Sequence, residues 1–313
     1  MLKLKLLNHT SDEMWWVDTL KNMFSLPFDM FNATMDWISG KDKDGEIFYV
    51  TLNDDIIGIT GWYSIKCSNT QNMFGLRWHG ILPSHRGNDY GKKAIDLLYS
   101  HLMKKYNNVK LYEIASNTKT AEYFIKNNFI NVSDENVIRS VLDCGGEIGE
   151  CIILEYNINN IPIDMLFKTI QEIYNITIYR DYENYDGEVL NCGCCSDDEI
   201  YLSRFDDESL EISAMFHELG HIESTNRDIF FERSHFVSTL SKEGMAWEVG
   251  FGLAAKHGFV WGYSSKQYQY ARKCLATYVG GEYDDVTVLN EYMKEHTLTY
   301  RLEKRIKEAR GEK

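Results

Sequence analysis

Prolines are scarce in this chain: three in 313 residues, at positions 27, 83 and 162. That excludes a proline-rich linker and makes each proline a marker of a break. No run approaches the roughly 18 consecutive apolar residues of a membrane-spanning helix. The residues after Lys3 and Lys5 carry no long apolar stretch and no small-residue cleavage site, so a secretory leader is not expected and a cytoplasmic protein is. Cations are in deficit, 33 Lys and Arg against 47 Asp and Glu, for a formal charge of −14. Phosphate backbones are held by clustered cations, so no nucleic acid is expected as a partner, and no membrane. The seven cysteines are an odd number in a chain large enough to form a core without staples, and with no secretory leader expected this argues for reduced thiols.

What is present is a globular composition, 44% hydrophobic and 26% charged, long enough for about two domains. The seam falls at Asn157-Ile158-Asn159-Asn160-Ile161-Pro162, an Asn-rich run ending in proline after a strand-like alternation over 151–156. The reading is a domain over 1–157 and a second over 162–313. Charge divides there too: residues 1–157 hold 16 basic and 20 acidic side chains, residues 158–313 hold 17 and 27.

The first part reads as mixed α/β. A strand over 2–7 precedes helices over 11–24 and 28–38. Strands follow at 46–52, 56–64 and 73–82, then a polar loop over 83–90. A helix carries Ala94, Ile95, Leu97, Leu98 and Leu102 on one face. A strand over 109–115, a helix over 118–126 and two more strands complete it. The second part reads as a helix over 164–174, short strands at 176–180, 189–192 and 199–203, and helices over 208–224, 242–256, 265–278 and 286–310.

The strongest local signal is His217-Glu218-Leu219-Gly220-His221. Residues four apart share a helix face, and two imidazoles so spaced can bind one Zn²⁺ at about 2 Å. Glu218 between them can take a proton from a water that the ion polarises. Asp206 or Asp207 is placed to cap this helix. A catalytic site needs a third ligand, and Glu243, Glu248 and His235 are the candidates. Glu243 and Glu248 lie about 140° apart on one helix and cannot share a face. Ala246 and Gly250, three and seven residues after Glu243, let that helix press closely on the motif helix, which favours Glu243, then Glu248, then His235. Tyr263 and His235 are considered as oxyanion donors. The strand preceding the motif helix is read as an edge for an extended peptide. Cys192-Gly193-Cys194-Cys195 is read as a turn with buried thiols.

Residues 160–260 resemble the ImmA/IrrE-type zinc metallopeptidases, through a helix, short strands, HELGH, and then Glu-x-x-Ala at 243–246. The resemblance implies a mostly helical, zincin-like domain with a small sheet. It implies His217, His221 and Glu243 as metal ligands, Glu218 as general base, and cleavage of a protein or peptide partner.

In the first part, Leu76 to Lys93 runs strand, glycine-bearing loop, helix. Such a loop offers unpaired backbone N–H groups to a pyrophosphate. This part resembles the GNAT acetyltransferases across nearly all of 1–157, which implies a mixed sheet with flanking helices and an acyl-CoA such as acetyl-CoA as cofactor. By that resemblance the cofactor contacts are Ile81, Arg86, Gly87, Asn88, Asp89, Tyr90, Gly91, Lys92 and Asn117, with His79 as base for an acceptor amine. Asp89 stands where the family has glycine. Phe124 stands where it has tyrosine, and Tyr123 beside it is expected to point elsewhere. Asn128-Phe129 replaces Gly-Phe.

The expected protein is therefore α/β and α+β in class, a zinc peptidase carrying a GNAT-like domain. The alternatives are an acetyltransferase with a metal-stabilised appendage, or a non-enzymatic interaction protein built on both folds.

Overall fold

A computed structural model describes residues 1–7, 44–65, 72–145, 151–180, 193–196, 198–203, 205–225, 235–262 and 264–277. The expected helices over 11–24, 28–38 and 286–310, the strand over 189–192, Cys192 and Tyr263 lie outside them. The chain forms two compact units, Met1–Met165 and Leu166–Lys313. Among the described residues no helix is long and apolar enough to cross a membrane.

The first unit is built on one seven-stranded mixed sheet. Its strands are β1 (Leu2–Leu6), β2 (Glu46–Leu52), β3 (Asp55–Ser64), β4 (Asn72–Ile81), β5 (Val109–Ala115), β6 (Phe129–Asn131) and β7 (Ile152–Tyr156). They lie in the order β1-β2-β3-β4-β5-β7-β6. Asn53 and Asp54 join β2 to β3 with φ of 50° and 74°, the double left-handed turn that matches the twist of a tight hairpin. Among these strands only β4 and β5 run parallel. Parallel neighbours need a crossover, and α1 (Tyr90–Lys105) supplies it. Ala94, Ile95, Leu98 and Leu102 of α1 are fully buried on the sheet. Two more helices follow, α2 (Thr118–Lys126) and α3 (Glu135–Gly145).

The helix α3 is absent from the sequence reading, which places only strands after α2. Its apolar residues Val137, Ile138 and Val141 are β-branched and mimic a strand. Asp134 nevertheless starts a helix by accepting the Asn136 N–H at 2.9 Å. Val137, Ile138, Val141 and Leu142 then pack on Ile65, Met73, Tyr112 and Ile153.

The second unit combines helices with a three-stranded sheet. It holds α4 (Ile163–Tyr174, whose first turn belongs to the first unit), α5 (Glu208–Thr225), α6 (His235–Lys256) and α7 (Lys266–Thr277). Its strands are β8 (Thr177–Tyr179), β9 (Gly193–Ser196) and β10 (Glu199–Leu202), in the order β8-β10-β9. The helix α5 is its axis. Every residue from 211 to 220 is buried, so α5 lacks the single apolar stripe of a surface helix. Glu211 in its first turn is buried and takes the Arg180 guanidinium, with Nη2 to Oε2 at 2.9 Å. Asp207 caps α5 by accepting the Ser209 N–H at 2.9 Å, and Lys266 binds its other carboxylate oxygen.

That cap carries a pH signature. The Lys266 and Ser209 hydrogen bonds hold the Asp207 carboxyl down at about 2, below its usual 3.8. The stabilisation is complete above about pH 4 and fades as pH falls toward 2. Asp207→Ala is expected to lower stability by about 1 kcal/mol at pH 7. Urea denaturation should show wild type and variant converging near pH 2; an undiminished difference there contradicts the assignment.

Candidate functional site

The site in the second unit begins with two helices in backbone contact. A Cβ added at Gly220 of α5 would fall 2.1 Å from the Ala246 carbonyl oxygen of α6. A Cβ added at Gly250 of α6 would fall 2.4 Å from the Phe216 carbonyl oxygen of α5. Neither position can carry a side chain unless the helices part. Glu243, Ala246 and Gly250 recur at helical spacing, so the face of α6 that touches α5 is also the face that carries Glu243.

The contact brings His217, His221 and Glu243 together. The two Nε2 atoms are 3.2 Å apart. Glu243 Oε2 lies 3.2 Å from His217 Nε2 and 3.3 Å from His221 Nε2. A tetrahedral ion with bonds of about 2.0–2.1 Å separates its ligand atoms by about 3.3–3.4 Å. The three atoms thus form one face of a tetrahedron of the right size. These residues fit a divalent ion such as Zn²⁺. Glu248, five residues on, points away from this face. The His235 side chain is not among those described.

Burial sets the electrostatics. The His217 side chain is 9% exposed and that of Glu218 5%, against 21% for His221 and 17% for Glu243. Desolvation pulls the His217 imidazole down to about 4 and pushes the Glu218 carboxyl up to about 7. Burial acts against the charged forms of His221 and Glu243 too. Their hydrogen bonding to the cluster prevails, raising His221 and holding Glu243 down at about 2. A metal ligand must be neutral imidazole or carboxylate, the forms that His217 and Glu243 are held in. Glu218 Oε1 stands 3.9 Å from His217 Nε2, and a carboxylate oxygen of Glu218 lies within 4.8 Å of a ring nitrogen of each histidine.

The small sheet corrects two sequence expectations. The strand before the motif helix, β10, is central: β8 pairs with it in parallel and β9 antiparallel. The edges among the described residues are β8 and β9, so an extended peptide would pair with one of these. Cys194 and Cys195 lie in β9 and not in a turn. The half-buried Cys195 thiol hydrogen-bonds the Glu218 carboxyl.

In the first unit the loop after β4 has a different character. Pairing between β4 and β5 stops at Gly75 and Tyr112, although β4 runs on to Ile81. The two strands part beyond it. A bulge at Trp78, with φ 51°, re-aims the next residue. His79 meets Thr60 Oγ1 through Nδ1 at 3.2 Å, while its buried Nε2 has no partner among the described residues. Desolvation lowers this imidazole to about 4.

Two of the loop's cations have partners within the unit. Arg86 Nε donates to the Ile81 carbonyl at 2.9 Å. Lys92 pairs with the buried Asp96 at 3.0 Å, whose other oxygen accepts from Tyr156 Oη at 2.8 Å. Asp89 is the N-cap of α1 with φ 56°, its side chain uncoupled from the first turn. Gly87 turns the chain with φ 87°, the Asn88 amide reaches the His85 carbonyl, and the Tyr90 ring lies under Lys93. Asn117 caps α2 by accepting the Thr120 N–H at 2.9 Å. Asn128, where a glycine was the pattern, takes φ 74°.

Tyr123 does not point elsewhere, as the sequence suggested. Its ring stacks on His79 at 6.5 Å, with Phe124 on another side at 6.1 Å. Its hydroxyl lies 2.2 Å from where a Gly91 Cβ would be. The absence of a side chain at Gly91 is therefore used by Tyr123. A pyrophosphate at this loop would meet the backbone N–H groups of α1, with Tyr123 and the Asp89 carboxylate beside them.

No protein-family model matches the chain, and no curated protein matches it. Solved structures with a similar course cover about half of it. An acetyltransferase from Thermus thermophilus is 15% identical, with 50% of this chain and 96% of that one covered at a TM-score of 0.35. A GNAT family acetyltransferase from Elizabethkingia anophelis with acetyl-CoA bound is 15% identical, covering 50% and 98% at 0.35. The PaiA N-acetyltransferase from Thermoplasma acidophilum in complex with coenzyme A is 14% identical, covering 50% and 99% at 0.36.

The helix contact yields a direct test. Gly250→Ala forces a methyl against the Phe216 carbonyl, and overpacking of this kind costs about 1–3 kcal/mol. Denaturation should register that loss, and metal analysis of the purified variant should show divalent metal falling with it. A variant of wild-type stability contradicts the contact.

Proposed function

We propose that the second unit is a zinc-dependent hydrolase that cuts a peptide bond in a protein or peptide partner. The observation that carries this reading is the triangle of His217 Nε2, His221 Nε2 and Glu243 Oε2, with sides of 3.2–3.3 Å, beside a buried carboxylate. When bound there, Zn²⁺ supplies a Lewis acid that polarises the scissile carbonyl and makes water acidic near neutral pH. The chain's own residues do the rest. Glu218 accepts the proton of the attacking water and returns it to the departing amine, the work of a general base followed by a general acid. Its burial keeps it close to neutral pH in affinity for that proton. Cys195 on β9 holds the carboxyl from one side, and β9, an edge strand among the described residues, would pair with an extended substrate. Residues 161–250 carry 19 acidic and 6 basic side chains, which favours a basic, flexible substrate segment and weaker binding as salt rises. The first unit would bind acyl-CoA or the substrate.

A second reading keeps an acyl-CoA-dependent transfer in the first unit. What favours it is the parting of β4 from β5 beside His79, whose buried Nε2 has no partner among the described residues.

Three measurements separate these readings. Purified protein should contain about one zinc per chain. Glu218→Gln should keep the metal and lose at least about a hundredfold in cleavage, while Glu243→Ala should lose the metal; full cleavage by Glu218→Gln overturns the hydrolase. For the first unit, acetyl-CoA titrated calorimetrically should bind weakly, in the millimolar range near −4 kcal/mol, because Lys92 is paired with Asp96 and Asp89 stands at the N-terminus of α1. No heat at that concentration removes the transferase reading.

A further inference from the structure

We infer that Trp247 is a positioning residue for the metal centre, fixing the plane of the His217 imidazole by stacking. The inference rests on the reading of His217 as a ligand. A histidine that binds a metal through Nε2 usually donates Nδ1–H to a carboxylate or carbonyl, and this bond sets the ring's orientation and tautomer. His217 departs from that pattern. Its Nδ1 is buried and has no hydrogen-bond partner among the described residues. The ring instead lies on Trp247, with centroids 4.1 Å apart and planes 21° from parallel.

Trp247 is suited to that work by its own packing. It is 2% exposed. Phe251 lies at 5.8 Å and Tyr270 meets it edge-on at 6.0 Å. Its indole Nε1 is also without a partner among the described residues, and these ring contacts hold the indole. Trp247 follows Glu243 by four residues on α6 and shares its face. A single helix face therefore delivers one ligand oxygen and the clamp for a second ligand. Stacking fixes a plane but not a tautomer, so among the described residues van der Waals contact does for His217 what a hydrogen bond does for an ordinary ligand.

The test uses the full-length protein. Zinc affinity is measured by competition with a chelating dye for wild type, Trp247→Phe and Trp247→Leu, and the visible spectrum of each is recorded after loading with Co²⁺. Trp247→Leu is expected to bind zinc about ten- to a hundredfold more weakly and to give an altered Co²⁺ spectrum. Trp247→Phe, which keeps a flat ring, should restore both. Equal affinity and identical spectra for all three overturn the inference while leaving the metal site standing. Failure of wild type to bind zinc overturns the metal reading itself. If Trp247→Leu does not fold, nuclear magnetic resonance of zinc-loaded wild type decides. Ring protons of His217 should then lie well upfield of those of His221, and matching positions overturn the stack.

Discussion

The candidate metal centre depends on two helices touching without side chains between them. Gly220 and Gly250 each present bare backbone to a carbonyl of the other helix. That contact sets Glu243 on α6 against the imidazoles of α5, with its Oε2 3.2 and 3.3 Å from their Nε2 atoms. The stripe Glu243, Ala246, Trp247, Gly250 divides the labour along one face. The glycine and alanine give proximity, the glutamate gives an oxygen, and the tryptophan braces a ring.

Proximity has an electrostatic consequence. The centre gathers two imidazoles and two carboxylates in a largely dehydrated place, where uncompensated charge is expensive. Glu218 responds by holding its proton more tightly, and His217 by remaining neutral. A divalent cation would satisfy the inward-facing lone pairs at once. The first unit solves a similar problem differently. Its buried Asp96 is satisfied by Lys92 and by the Tyr156 hydroxyl, so a lysine that looked available to a phosphate in the sequence is held by the fold.

Much of the second unit was legible in the chain. The HELGH spacing, the capping aspartate and the small residues after Glu243 all point to the geometry that the helices adopt, because each acts within one helix or at a spacing of three or four. Sheet order was not legible. That β10 is central follows from which strands fold back beside it, and β9 is a Gly-Cys-Cys-Ser segment without a strand-like alternation. The helix α3 was hidden by its β-branched residues. Tyr123 was misjudged because its neighbourhood is set by a bulge at Trp78, and the local sequence carries no sign of that bulge. Trp247 was not singled out in the sequence, since stacking on His217 requires the crossing of two helices to be known.

X-ray absorption at the zinc edge on the purified wild-type protein tests the central claim most directly. The account predicts a shell of light nitrogen and oxygen scatterers at about 2.0–2.1 Å, two of them with the multiple-scattering signature of imidazole. A shell with sulfur at about 2.3 Å, or a zinc edge with no imidazole, would contradict it.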